Sequence, residues 1–183
     1  MNKLLFNVID FKWYHYVFAV LIVLLLIYIG IVIASFLFMS SFKKKLKETK
    51  ESISIDFYQM RECLLKLDDL FKDYMDKETY EKFIIEFGST EFKNVKIEDC
   101  AKTFNKFEMA KKEFEQIFVN KVSGIDNNKV SVLFDSFKEL SKHYTDMTQS
   151  YNNYIIGYNY WWNLFSTKWI KKLFKIKKFE NLK

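Results

Sequence analysis

The sequence predicts an all-α fold: one N-terminal transmembrane helix, then an antiparallel up-and-down bundle of four helices, one of them short. Three observations predict this fold. The 183 residues include no proline and four glycines, too few for the tight turns of a β-rich protein. Half of the residues are hydrophobic, which is enough for a core and excludes wholesale disorder. Apolar residues also recur at spacings of three and four, which is the period of a helix.

Residues 16–39 predict the transmembrane helix, because they carry no charge and the next charged residue is Lys43. As a helix, these residues span about 36 Å, enough to cross a hydrocarbon core of about 30 Å. The rival interpretation is a cleaved signal peptide, whose apolar run is about 7–15 residues and ends in small residues. Here the run is longer, and the small pair Ala34 and Ser35 is followed by two large side chains.

The lysines on either side of the span predict its orientation. Lys3 and Lys12 precede it, against Asp10, whereas residues 43–50 carry five lysines. Since the more positive side stays in the cytoplasm, we expect residues 1–15 outside the plasma membrane and the rest of the chain inside it. Both cysteines fall in the part predicted to be cytoplasmic, where thiols stay reduced.

The first helix is expected to continue out of the membrane to about Met75, since no glycine or proline interrupts it. Its apolar stripe repeats in heptads: Ile53, Phe57, Met60, Leu64, Leu67, Phe71 and Tyr74. Asp76, or alternatively Thr79, is the predicted N-cap of a short helix, which carries Tyr80, Phe83, Ile84 and Phe87. Residues 76–97 therefore form either a second leg of the bundle or a turn, with a loop over 88–97.

Two further helices complete the predicted bundle, which we assign to residues 40–178. Glu98 and Asp99 are expected in the first turn of the third helix, where negative charge suits the helix dipole. Its stripe is Ala101, Phe104, Phe107, Ala110 or Lys111, Phe114 and Phe118, with or without Val122. The last helix is expected to extend from Val130 to about Lys178, with the stripe Leu133, Phe137, Leu140, Tyr144, Met147, Tyr151, Tyr154, Tyr158, Trp161 and Phe165. Short connections favour antiparallel neighbours.

The net charge of +6 is unevenly distributed. Residues 43–50 carry +4 and residues 168–183 carry +6, whereas residues 51–167 carry −5. The C-terminal tail, 168–183, has apolar and basic side chains on opposite faces of a helix, a pattern typical of a segment lying on a membrane surface. We predict contacts with anionic lipid from these residues: Lys43, Lys44, Lys45, Lys47, Trp169, Lys171, Lys172, Lys175 and Lys178. A merely solvated lysine face is the alternative.

Nucleic acid is not a predicted partner, although the isoelectric point is near 9.1. Arg61 is the one arginine, so the chain has little capacity for the forked contacts that read base edges. Gly30 and Ala34 form a pair of small residues one turn apart in the span. Such a pair can support self-association, but small residues are also common in membrane helices.

The segment YNNYIIGYN, followed by YWWNLFS, carries a specific pattern at residues 151–166. It resembles the LemA family, whose C-terminal signature is YNxxVxxYNxxIxxFP. The matching residues are Tyr151, Asn152, Ile155, Tyr158, Asn159, Trp162 and Phe165, while Ser166 replaces the proline. The resemblance implies a membrane-anchored cytoplasmic helical bundle with no established catalytic activity. The heptad spacing by itself predicts that the tyrosines lie in the core and that Tyr–Asn contacts fix the helix register. The alternative is that these residues bind a ligand or a partner.

No catalytic, cofactor or metal site is predicted. The two glutamate-x-x-histidine repeats of a di-iron bundle are missing, and no two glycines lie close enough to form a phosphate-binding loop. His143 is interpreted as a half-exposed residue on a helix face, unless Cys63 or Cys100 lies within hydrogen-bond reach. We therefore expect a non-catalytic scaffold that binds unidentified protein partners at the membrane. The alternative is a sensor or adaptor that transmits a signal along the continuous first helix.

Overall fold

The computed structural model describes residues 13–75, 77–83, 85, 87, 99–121, 127–164, 172 and 179. Its helices are α1 (Trp13–Phe71), α2 (Lys77–Phe83), α3 (Cys100–Lys121) and α4 (Asn127–Leu164). The described residues contain no strand. The prediction of an all-α fold is therefore confirmed.

Helix α1 is unbroken over 59 residues, a length of about 88 Å. Its N-terminal part is long and apolar enough to cross a membrane, and none of its most apolar stretch is buried within the protein. Ser35, where burial begins, satisfies its hydroxyl by donating to the carbonyl of Ile31 at 2.8 Å. The helix ends at Phe71, four residues before the predicted end, and the amide of Met75 closes a turn on the Phe71 carbonyl.

The heptad stripe of α1 forms one wall of the core. Phe57, Met60, Leu64, Leu67 and Phe71 have no solvent-exposed surface. Burying each side chain of this size contributes roughly 1.5–3 kcal/mol relative to leaving it in water. The predicted stripe is confirmed from Ile53 to Phe71, whereas Tyr74 lies beyond the end of the helix. The buried stripe explains why the helix persists beyond the apolar stretch.

Contacts between residues of different helices define the topology. Trp161 of α4 stacks on Phe38 of α1, whereas His143 lies beside Asp56, so α4 runs antiparallel to α1. Along α3, Phe107 packs on Phe57 and Phe118 packs on Phe71, so α3 runs in the same direction as α1. The predicted up-and-down order is therefore present.

Residues 76–97 contribute a second leg as far as they are described. The ring of Phe83, at the end of α2, lies 4.8 Å from that of Phe114, and Phe87 lies 5.5 Å from Phe107. The chain thus descends along α3 from the far end of the bundle. Arg61 fixes this leg to α1, because its Nε donates to the carbonyl of Phe87 at 2.5 Å. The predicted N-cap Asp76, Ile84 and the loop 88–97 lie outside the described residues.

The last helix differs from its prediction at both ends. It begins at Asn127, three residues before Val130, and the described helix ends at Leu164. A continuous helix to Lys178 is wrong, because Asn159 hydrogen-bonds to the backbone of Phe179. Twenty residues of straight helix would hold those two residues about 30 Å apart.

Candidate functional site

The signature tyrosines of α4 lie in the core, as their heptad spacing predicts. Tyr151 is 3% exposed, Ile155 is 0% and Tyr158 is 5%. Burial raises the pKa of both tyrosines above the usual value of 10, so their hydroxyls stay protonated at neutral pH. These residues build the wall of α4 that packs on α1.

The end of the bundle beside the apolar stretch of α1 is a compact aromatic cluster, which we call the base. Met39 and Tyr158 are its buried centre, with Val32, Phe42, Trp161, Trp162 and Phe179 packed around them. The rings of Phe38 and Trp161 are stacked at 4.6 Å and 12°. Helix α4 therefore ends alongside residues 32–39, the last two turns of the predicted span.

A glycine permits this close approach of α1 and α4. A β-carbon at Gly157 would lie 2.7 Å from Cζ of Phe42, which is closer than packed atoms approach. Position 157 requires glycine because the ring of Phe42 occupies the space that a larger side chain would need. Gly157 sits within the predicted motif, yet its role was not apparent from the sequence.

The second signature asparagine binds the C-terminal tail. The amide Nδ2 of Asn159 donates to the carbonyl of Phe179 at 3.0 Å, and its Oδ1 accepts from the Phe179 amide at 3.3 Å. The Phe179 ring meets Tyr158 edge-on at 4.8 Å. The expected Tyr–Asn contact is therefore replaced, at Asn159, by a contact with the tail backbone.

The predicted membrane-surface lysines are only partly described. Lys43 is exposed, Lys44 and Lys47 form exposed ion pairs with Glu48 and Glu51, and the ammonium of Lys45 lies 5.4 Å from the centre of the Tyr154 ring. Lys172 is exposed and helical. The remaining residues predicted for this surface or for the motif lie outside the described part: Phe165, Trp169, Lys171, Lys175 and Lys178.

A second feature is a groove along the solvent-facing seam between α1 and α4, which we call the seam groove. It has two adjoining sections that share Lys66, of about 590 Å³ and about 620 Å³. The section nearer the base is lined by carboxylates, including Asp56 and Glu139. The far section is mostly apolar, with Leu65, Leu70, Val132 and Leu133 among its walls.

One polar pair bridges this groove. Nδ1 of His143 lies 2.9 Å from both carboxylate oxygens of Asp56, whose side chain is 5% exposed. Burial raises the pKa of Asp56, and the hydrogen bond and charge of His143 oppose that rise. The prediction that His143 is half-exposed agrees with its side-chain exposure of 49%. Its described partner is this aspartate, however, and neither cysteine.

Two further titratable side chains, Asp68 and Cys100, are buried. Asp68 is 1% exposed, its Oδ1 has no hydrogen-bond partner among the described residues, and burial with the neighbouring Asp69 raises its pKa to about 6. Burial also raises the pKa of Cys100 to about 11, so its thiol is a poor nucleophile. Among the described residues, no group of three or more metal-binding side chains is close enough to hold an ion.

The fold and the base together define a class: a helical protein in which one helix, long and apolar enough to cross a membrane, continues into an up-and-down bundle. Comparison of the chain with protein-family models, curated proteins and solved structures found no match. The resemblance to the LemA family therefore rests on the motif and stays a prediction.

Proposed function

We propose that this protein is a LemA-like, membrane-anchored scaffold without catalytic activity. Residues 16–39 of α1 cross the plasma membrane, residues 1–15 lie outside, and the bundle lies in the cytoplasm, where it binds protein partners. The observation that carries the proposal is the stacking of Trp161 on Phe38, which packs the C-terminal end of α4 against the apolar part of α1.

Aromatic residues support a membrane boundary at the base. Tryptophan favours the interface between hydrocarbon and water, and Trp161 and Trp162 are both partly buried there. The exposed lysines of α1 begin one turn beyond Met39, at Lys43. An apolar helix, an aromatic cluster and a basic segment thus follow in the order in which a bilayer core, its interface and the headgroup surface occur.

The seam groove supports the scaffold role, because it leaves apolar side chains exposed between two helices. Ile55 is 56% exposed and Val132 is 63% exposed. Both line the groove and provide apolar contact area for a partner.

Membrane orientation is tested with a membrane-impermeant maleimide in intact cells. With Cys63 replaced by serine, a cysteine is introduced at exposed Lys129, or at Lys3 before the span. We expect labelling through Lys3→Cys in intact cells and through Lys129→Cys only after permeabilisation. The reverse pattern overturns the orientation, and release of the protein by alkaline carbonate overturns the membrane anchor.

The scaffold role is tested by a photo-crosslinking amino acid at Val132 in native membranes. Val119 on α3, which is 81% exposed, is the matched control outside the groove. If the protein is a scaffold, cross-linking from position 132 repeatedly captures the same proteins, or a second copy of the chain. Cross-linking from position 119 does not capture them. A monomer without reproducible neighbours contradicts this function.

A sensor or adaptor is the second candidate, and the unbroken course of α1 favours it. A rotation or shift in the apolar part can pass along one helix from Trp13 to Phe71. In that case the cross-links from position 132 change when a ligand is added outside the membrane. Constant cross-links under such additions favour the scaffold.

A further inference from the structure

We propose that the C-terminal end of α4, residues 156–163, inserts into the cytoplasmic leaflet of the bilayer and forms a second membrane contact beside the span. The occupant of this surface is lipid, at the depth where the acyl chains join the headgroups. The inference rests on the proposed membrane anchoring of α1, and it adds that the bundle itself enters the membrane. Contact through both helices then holds the bundle at a fixed angle to the bilayer.

The first argument is the height at which α4 ends. Trp161 stacks on Phe38, and the described helix continues for three more residues, to Leu164. Those residues extend the helix by about 4.5 Å. Because α4 runs antiparallel to α1, its end reaches the height of Ser35, which is 2% exposed. Helix α4 therefore runs beside α1 within the predicted span, residues 16–39.

At the same height, α1 also has an apolar face that the protein leaves uncovered. Ile33 is 55% exposed, Phe36 is 47% and Leu37 is 63%. Counted from Tyr16, about 20 residues of helix cross a hydrocarbon core of about 30 Å, which places the inner edge of that core near Phe36. A bilayer that covers these side chains therefore also meets the end of α4.

The second argument is the lack of charge in this part of α4. Residues 147–164 contain no Asp, Glu, Lys or Arg, although they form almost half of the helix. The preceding part, residues 127–146, carries six charged side chains: Lys129, Asp135, Lys138, Glu139, Lys142 and Asp146. Since a charged side chain is costly to bring into the membrane, only the uncharged end of α4 is suited to insertion. That end is the one beside the span.

The third argument is the kind of side chain that this end exposes. Ile156 and Tyr160, one turn apart on one face of α4, are 59% and 60% exposed. Asn163 is exposed as well, and Trp161 is partly buried. Tyrosine and tryptophan favour the zone between hydrocarbon and water, because their rings are apolar and their polar atoms find hydrogen-bond partners there. The composition of this face therefore fits lipid at the headgroup boundary.

The insertion is tested with a nitrobenzoxadiazole dye on introduced cysteines, in the full chain with Cys63→Ser, reconstituted in phosphatidylcholine nanodiscs. Tyr160→Cys and Asn163→Cys report on the end of α4, and agreement between them excludes a local effect of either substitution. Gln149→Cys is the matched control, since Gln149 is exposed on the same helix, about 16 Å from Tyr160 along its axis. Leu24→Cys reports on the span itself.

We expect the dye at positions 160 and 163 to lose most of its intensity when the lipids carry a nitroxide near the ester end of the acyl chains. The same dye should resist quenching by iodide in the buffer. At position 149, iodide should quench the dye and the nitroxide lipid should not. Quenching by iodide at 160 and 163, or equal responses at 149 and 160, overturns the insertion. Protection from both quenchers at 160 and 163 also overturns it, because protein would then cover this face.

The dye at position 24 separates this inference from the proposed function on which it rests. A nitroxide near the methyl end of the acyl chains should quench it, because Leu24 lies near the middle of the predicted span. If position 24 is quenched but positions 160 and 163 respond only to iodide, the insertion is overturned and the membrane anchor is retained. If position 24 is not quenched, the proposed anchor itself is overturned.

Discussion

The ring of Phe42 fills the space that a side chain at Gly157 would occupy, with the absent β-carbon only 2.7 Å from Cζ of the ring. This contact sets the spacing of α1 and α4 at the base. It places a glycine inside a helix, where alanine would ordinarily be more favourable by about 1 kcal/mol.

Gly157→Ala is expected to destabilise the protein by about 1 kcal/mol, because overpacking costs about 1–3 kcal/mol and helix propensity offsets part of it. In a Phe42→Ala background, the same substitution is expected to stabilise by about 1 kcal/mol. Unfolding in detergent, followed by far-UV circular dichroism, measures both effects. If Gly157→Ala changes the stability in the same direction in both backgrounds, the ring of Phe42 is not the reason for a glycine at position 157.

Replacing His143 by alanine is expected to lower the free energy of unfolding by about 1–3 kcal/mol, because the buried carboxylate of Asp56 loses its hydrogen-bond partner. The hydrogen bond and charge of His143 lower the pKa of Asp56, so this pKa should rise further in the variant. A raised pKa in the folded state stabilises the protein at low pH, and that contribution is lost as the pH increases. The cost should therefore be larger at neutral than at acidic pH. Glu139→Ala, at the exposed neighbour one turn away, should show neither effect.

Asp68 is expected to make the protein less stable as the pH rises from about 4 to about 6. Its pKa in the folded protein is about 6 against an ordinary 3.8, so the folded state favours the protonated form. The free energy of unfolding should fall by roughly 3 kcal/mol over this interval, since each pKa unit corresponds to about 1.4 kcal/mol.

Asp68→Asn should remove most of that pH dependence, whereas Asp69→Asn should preserve most of it, because burial of Asp68 is the larger cause of its raised pKa and the Asp69 side chain is 78% exposed. Unfolding curves collected at several pH values provide the comparison. A pH dependence that survives in Asp68→Asn would assign it to other groups.

Trp161→Ala is expected to loosen the last turns of α4 without unfolding the bundle, since the stack on Phe38 lies at its end. Amide hydrogen exchange should accelerate over residues 155–164 and stay unchanged around Phe137 in the core. Trp13→Ala is the control, because Trp13 is 76% exposed at the other end of α1. Unaltered exchange near residue 160 would show that the stack does not hold the base together.

The helices followed from spacing because each buries a single stripe. Phe57, Phe107 and Phe137 lie on predicted stripes, and all are fully buried. The buried aspartates were missed for the same reason: Asp56 and Asp68 each adjoin a stripe residue, and a charge in that position normally faces water. Their burial depends on the width of the surface that neighbouring helices cover, which spacing along one helix does not specify.

The candidate site was predicted as a motif but not as an arrangement. Tyr151 and Tyr158 lie in the core as expected, whereas the hydrogen bonds of Asn159 go to the tail. No local pattern links residues 159 and 179, because they lie 20 positions apart and their contact is tertiary. The membrane contacts of Lys171 and the other tail lysines stay predictions.

The sequence alone determined the all-α fold, the unbroken first helix and the separation of acidic bundle from basic ends. These depend on local periodicity and composition, which each segment carries by itself. Tertiary structure decided that Phe42 lies on Gly157, that His143 pairs with Asp56 and that Phe179 returns to Asn159. Such contacts join residues distant in the chain, and they form only when packing has fixed how far apart, and in what register, the helices lie.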